Sequence, residues 1–237
     1  MPRCTTGRAV PAQSYSVNLR MIESFLPIIT LTLSVSGIAL VIASVLGFPL
    51  GAWLALARVP GKRLIEALIY TGMAFPPVVV GLAVYLLLSR SGPLGWLGWL
   101  FTPRAMIVAQ VVIALPMVAG LTQSAIEALD PALRLQLRAL GASPAQTMWT
   151  LLAEARAGVI SALIAAFGSI ISEVGAVMLV GGNIAGSTRV MTTAIVLETR
   201  QGEFELALAL GAVLLSLTFV INFAIMRLGQ RREVAPR

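Results

Sequence analysis

The sequence predicts an all-α, polytopic membrane protein of about five transmembrane helices. Two observations carry this. Hydrophobic residues make up 58% of the 237 residues and charged residues only 11%, where a soluble domain has about 25% charged. The charges that do occur are bunched, and they leave five long apolar runs. Each run reaches the roughly 20 residues that a helix needs to cross the hydrocarbon core. Backbone groups surrounded by lipid find hydrogen-bond partners only inside such a helix.

Residues 1–20 carry Arg3, Arg8 and Arg20 and the single cysteine, Cys4. They are expected to form a polar, disordered tail. Ser24 to Ala57 then runs 34 residues without a charge. A secretory h-region is only about 7–15 residues long, so this run is read as a first span, over about 27–56. The second run, Ala67 to Ser89, gives a span over about 64–89. Pro76 and Pro77 lie near its middle. Proline has no N–H and clashes with the preceding turn, so this span should kink. The kink is either an ordinary membrane proline bend or a bend lining a translocation path. Ala105 to Ile126 gives a third span, over about 105–122.

Residues 123–157 form the longest polar-containing segment between spans. Leu133, Leu137 and Leu140 fall on one helical face. Ser143 precedes Pro144, an N-cap followed by proline at the first helical position. The segment therefore reads as a helix, a break at Gly141 and a second amphipathic helix over about 144–153. Such a helix either lies on the lipid surface or docks a cytosolic partner.

The fourth span, over about 158–180, contains Glu173, the only charge well inside a predicted span. A carboxylate at mid-bilayer costs about 2.5–3.5 kcal/mol on insertion scales, and it would repel an anion. Glu173 is therefore expected to pair with an arginine or with backbone N–H groups and to steady a gate. The alternative is a shifted span with Glu173 near its end. Gly181, Gly182, Asn183, Thr188 and Arg189 follow. Glycines let backbone N–H groups approach an anion, and arginine is a forked, permanently charged donor for oxyanions. The bland alternative is a turn with an interfacial arginine. The fifth span covers about 205–227, and residues 231–237 form a basic tail.

With the N-terminus outside, the inner segments hold ten basic residues: Arg58, Lys62, Arg63, Arg134, Arg138, Arg156, Arg227, Arg231, Arg232 and Arg237. The outer segments hold Arg90, Arg104, Arg189 and Arg200 plus the three of the tail. The positive-inside rule favours this orientation, with the C-terminus cytoplasmic. The net charge of +7 thus points to membrane topology, and nucleic acid is not expected as a partner. The chain has no histidine, which with the lone cysteine argues against a metal site and an intramembrane hydrolase. Gly61-Lys62-Arg63 lacks the earlier glycine of a phosphate-binding loop, so no ATP hydrolysis is expected in this chain. A secondary transporter often shows paired repeats, and none is visible.

The segment Arg138-Ala-Leu-Gly-Ala-Ser-Pro-Ala-Gln-Thr-Met-Trp-Thr-Leu-Leu, residues 138–152, resembles the coupling loop of type I ABC importer permeases. Gly141 matches that family's loop glycine. The family's Glu-Ala-Ala triplet is replaced by Leu135, Gln136 and Leu137, and its later Leu-Pro by Ala153 and Glu154. Phe75-Pro-Pro-Val-Val-Val-Gly-Leu and Ser91-Gly-Pro-Leu-Gly resemble molybdate and tungstate permeases. Ile171-Ser-Glu-Val-Gly-Ala-Val-Met-Leu-Val-Gly-Gly-Asn-Ile and Thr192-Thr-Ala-Ile-Val-Leu-Glu-Thr resemble the tungstate branch. The resemblance extends from about Met21 to Leu228. It implies a permease subunit in the cytoplasmic membrane, importing an oxyanion such as tungstate or molybdate. It implies an ABC ATPase as partner, which uses ATP and Mg while this chain binds no cofactor. It also implies an extracytoplasmic anion-binding protein and a second copy of this chain, all in membrane lipid. Leu140, Gly141, Ala142, Ser143, Pro144, Met148 and Trp149 would couple to the ATPase. Pro76, Pro77, Glu173, Gly181, Gly182, Asn183, Thr188 and Arg189 would line the path or gate.

Overall fold

The structure, a computed structural model, describes residues 13–57 and 60–230. Among the described residues it is helical, without strands. In chain order the helices are α1 (Gln13–Leu56), α2 (Lys62–Met73), α3 (Pro77–Leu88), α4 (Pro103–Glu127), α5 (Pro131–Ala139), α6 (Pro144–Glu154), α7 (Arg156–Ile171), α8 (Gly175–Gly181), α9 (Met191–Gln201) and α10 (Phe204–Gln230), with a 3-10 turn at Gly95–Leu97.

Three stretches are long and apolar enough to cross a membrane unbroken: Phe25–Leu56, Pro103–Glu127 and Phe204–Arg227. Two bent pairs, α2 with α3 and α6 with α7, bring the number to five if each pair is one span. In this isolated chain Leu208, Leu215 and Phe219 of α10 are 74%, 73% and 68% exposed. A greasy surface of that kind is stable against lipid, not water.

Three expectations are adjusted. The polar tail predicted for residues 1–20 is helical from Gln13 onward. Pro11 is the last helix breaker before it, so nothing in residues 13–20 stops the turn. Residues 1–12, like 231–237, lie outside the described residues. The kink predicted in the second span is a 102° bend between separate helices. Two successive prolines remove two donors, and the residue before a proline avoids the α region; Pro76 itself is extended at φ −60°, ψ 120°. The fourth span is interrupted as well. Helix α7 stops at Ile171, and the rest of the apolar run continues as α8.

Buried residues form two cores. The larger is built from α1, α3, α4, α7 and α8, with Val35, Ala39, Val84, Met106, Ile113, Ile170 and Val177 among its members. The smaller lies where Ala52 and Ala55 of α1 and Ile126 of α4 meet Leu151, Leu152 and Ala155. Small residues let α1 and α4 pack closely. A Cβ at Gly51 would stand 2.3 Å from the Ala119 carbonyl oxygen.

Candidate functional site

The two broken spans are broken beside one another. Pro77 opens α3 at its first position, with Pro76 as N-cap. Helix α3 packs along α8 through glycines: a Cβ at Gly81 would meet Ala176 Cα at 2.5 Å, and one at Gly175 would meet Val78 Cγ2 at 2.5 Å. Val78 lies in the first turn after the proline pair, and Gly175 in the first turn after the 172–174 break. The interruptions therefore face each other across one contact.

Glu173 sits in the second break and is half-buried. Its Oε1 accepts from the Ala176 N–H at 2.8 Å, capping α8. Of the two partners expected, the structure supplies the backbone N–H. Thr192 Oγ1 donates to the Glu173 carbonyl at 3.0 Å, and Gln110 Nε2 donates to the Ile170 carbonyl at 3.0 Å. Gln110 is a buried side chain that the sequence reading passed over. Its only signal was polarity in the middle of an apolar run.

After α8 the chain turns through two left-handed residues, Gly182 at φ +73° and Asn183 at φ +51°. The Gly182 N–H donates to the Met178 carbonyl at 2.9 Å, so it is spent on ending the helix and not offered to a ligand. Gly181 is tight against Met106: a Cβ there would lie 3.0 Å from its Sδ. Thr188 is fully buried. Its hydroxyl donates to the Gly181 carbonyl and accepts from the Ile184 N–H at 2.9 Å, pinning the loop shut.

Arg189 is placed differently. It lines an open pocket of about 530 Å³ between this loop and α1, with Pro27, Thr30, Leu31, Ser34 and Gly186. Its Nε is buried without a hydrogen-bond partner among the described residues. A buried donor left unpaired costs about 1–3 kcal/mol. Asn183 Oδ1 is also buried and unpartnered.

The second candidate surface is the α5–α6 loop. Asp130 caps α5, accepting from the Ala132 N–H at 2.8 Å. Gly141 takes φ +74° between the helices, a value that favours glycine. Ser143 caps α6 in a full capping box: its Oγ accepts from the Gln146 N–H, and Gln146 Oε1 accepts from the Ser143 N–H. The predicted helix–break–helix pattern is what forms. The side chains divide in a way that periodicity did not anticipate. Leu133 and Leu137 pack into the smaller core, as does Met148. Leu140 does not follow them and is 83% exposed, because α5 ends at Ala139 and Leu140 has left the helical face. Ser143 and Pro144 are exposed with it, and Ala142 is half-buried. Trp149 lies along an apolar cleft with Val41, Val45, Phe48 and Leu163. The exposed tip is therefore formed by Leu140, Gly141, Ser143 and Pro144; Met148 packs toward the helical bundle, while Trp149 borders the cleft and is still 61% exposed.

The described residues thus form a multi-span helical membrane protein with paired helix breaks and a capped helical loop. Residues 47–234 match the family described as "Binding-protein-dependent transport system inner membrane component", and the chain belongs to this family. It is 44% identical over 200 residues to a "Probable anion ABC transporter permease protein" of Haloferax volcanii, covering 82% of this chain and 86% of that one. It is 39% identical over 221 residues to the "Tungstate uptake system permease protein TupB" of Peptoclostridium acidaminophilum, covering 92% and 97%. A "Molybdenum transport system permease protein ModB" of Azotobacter vinelandii is 32% identical, with 86% and 93% covered. Among solved structures, the inward-facing MetNI methionine ABC transporter superposes with a TM-score of 0.74 at 21% identity, covering 90% of this chain and 97% of that one. The type I importer permease fold expected from the sequence is thus the fold observed, in a multi-pass inner-membrane protein.

Proposed function

We propose that this chain is the permease subunit of an ATP-driven importer whose cargo is an oxyanion, tungstate. The observation that carries the cargo is the 39% identity, along almost the whole of both chains, to a permease named for tungstate uptake. ATP hydrolysis resides in a partner subunit, and the exposed tip around Gly141 docks it. The chain runs from an outside N-terminus to a cytoplasmic C-terminus, in keeping with the ten basic residues on the inner side. Two copies enclose the path about a two-fold axis. An extracytoplasmic binding protein delivers the anion, and Arg189, which lines the pocket, receives it. The adjacent breaks at Pro76-Pro77 and Glu173 form the gate.

Proteoliposomes containing this chain, its ATPase and the binding protein test the proposal. Labelled tungstate should accumulate only with ATP on the ATPase side, and Ser143→Cys in a Cys4→Ser background should label only from that side. Uptake without the ATPase, or labelling from the binding-protein side, refutes it. Molybdate is the second reading, favoured by the 32% identity to a molybdenum permease; equal competition by molybdate in the same vesicles would select it.

A further inference from the structure

The α1–α4 pair ends at the smaller core, beneath the α5–α6 loop. There Arg134 of α5 donates from Nη1 to the Ala55 carbonyl at 3.1 Å and from Nη2 to the Ile126 carbonyl at 3.2 Å. Ala55 lies in the last turn of α1 and Ile126 in the last turn of α4. Carbonyls at a helix C-terminus carry the negative end of the helix dipole, and that of Ile126 also accepts from the Leu129 N–H at 3.3 Å. One guanidinium thus joins the ends of two helices. The planar fork makes this possible, since its donors point in fixed, divergent directions; an ammonium is a single point. On one side of the clip, Leu129, Leu133 and Leu137 pack apolar surface against the same helix ends. Beside the clip, an open cleft of about 290 Å³ is lined by Leu56, Lys62, Glu127, Leu129, Pro131 and Arg134. At that cleft the guanidinium links α5 to both helix ends, beside a Lys62–Glu127 ion pair at 3.4 Å.

We infer that Arg134 is a positioning residue that ties the docking loop to α1 and α4, so that a displacement of α5 imposed by the ATPase carries both helices together. This rests on the importer reading above. The α1–α4 contact suits the role, because Gly47 against Val118 and Gly51 against Ala119 leave no slack between the two helices. A pull on one end of that pair is a pull on the whole unit. Without the clip, only the apolar packing of Leu133 and Leu137 and the short 128–130 connection tie α5 to the helix ends.

The test is the number of tungstate ions carried per ATP hydrolysed in reconstituted vesicles, for wild type, R134M and R134K. The wild-type ratio also separates the two proposals: no ATP-dependent uptake by wild type sinks the importer reading, whatever Arg134 does. With uptake present, both variants should assemble with the ATPase and hydrolyse ATP. In R134M, which loses both hydrogen bonds of a charged group, the transport ratio should fall by more than about tenfold. R134K keeps the charge and one of two contacts and should fall between. Wild-type ratios in both variants overturn the inference. So does failure of R134K to bind the ATPase, because Arg134 would then be a docking residue and not a link.

Discussion

Gly51→Ala isolates the α1–α4 contact. The added Cβ would stand 2.3 Å from the Ala119 carbonyl oxygen, 2.9 Å from Thr122 Cβ and 3.1 Å from the Ala119 carbonyl carbon. Favourable carbon contacts lie at about 3.5–4.0 Å, so all three are too short. Two of the three neighbours are helix backbone and cannot rotate away. Overpacking costs about 1–3 kcal/mol, and a backbone obstacle places this site at the upper end. Ala gains about 1 kcal/mol over Gly in helix propensity, leaving a net loss of about 2 kcal/mol. At about 2–4 °C per kcal/mol for a chain of this size, the midpoint should drop by about 4–8 °C. Gly37→Ala is the internal control. It makes the same change in the same helix, but no heavy atom lies within 4 Å of its Cβ, so only the propensity gain remains. Thermal unfolding in detergent, followed by tryptophan fluorescence, reads both. Equal midpoints for Gly51→Ala and wild type, or an equal loss at Gly37, would refute the packing argument.

Three further outcomes follow from the site. Glu173→Ala removes the acceptor for the Ala176 N–H and should cost about 1 kcal/mol, as loss of a helix cap does; Glu173→Gln keeps an acceptor and should lose less, in both melting point and uptake. Ser143→Ala breaks the capping box of an exposed helix, so ATPase binding should weaken several-fold while the permease alone loses about 0.5–2 kcal/mol, as loss of an N-cap does. Arg189→Ala should raise the anion concentration needed for half-maximal uptake, and Arg189→Lys, which lacks Nε, should recover only part of the loss. An unchanged concentration dependence in Arg189→Ala removes that residue from the anion pocket.

The membrane-spanning elements were legible because lipid imposes a single rule, apolar length, and the runs ending at Ala57, Ile126 and Met226 obey it unbroken. The caps at Ser143 and Pro144 were legible because they act within four residues. The breaks were only half legible. Pro76-Pro77 announces an interruption, but its 102° angle depends on how α2 and α3 each pack elsewhere. The break at 172–174 carries no proline or glycine. Its one sign was the acid, and a carboxylate within an apolar run fits a pairing partner as well as a cap. Gln110 and Arg134 were invisible in their roles, because each acts on a carbonyl at least eight residues away, 60 residues away for Gln110 and 79 and eight for Arg134. The place of Leu140 was misread because periodicity cannot show that the helix stops one residue earlier.

The polar groups within the apolar segments can now be sorted by what they touch. An interrupted helix inside lipid exposes carbonyls and N–H groups that water cannot satisfy. Here side chains take that role: Gln110 on the Ile170 carbonyl, Thr192 on the Glu173 carbonyl, Thr188 on the Gly181 carbonyl, Glu173 on the Ala176 N–H and Thr32 on the Met191 N–H. Each is engaged with backbone, so each is better understood as holding the breaks open than as binding cargo. An anion needs a donor that the fold has not already used. The Arg189 Nε is buried, carries permanent charge and meets no partner among the described residues, and it does so on the wall of a pocket. The breaks thus engage their own polar residues in backbone contacts, and the proposed role of Arg189 at the anion rests on a donor that the fold has not used.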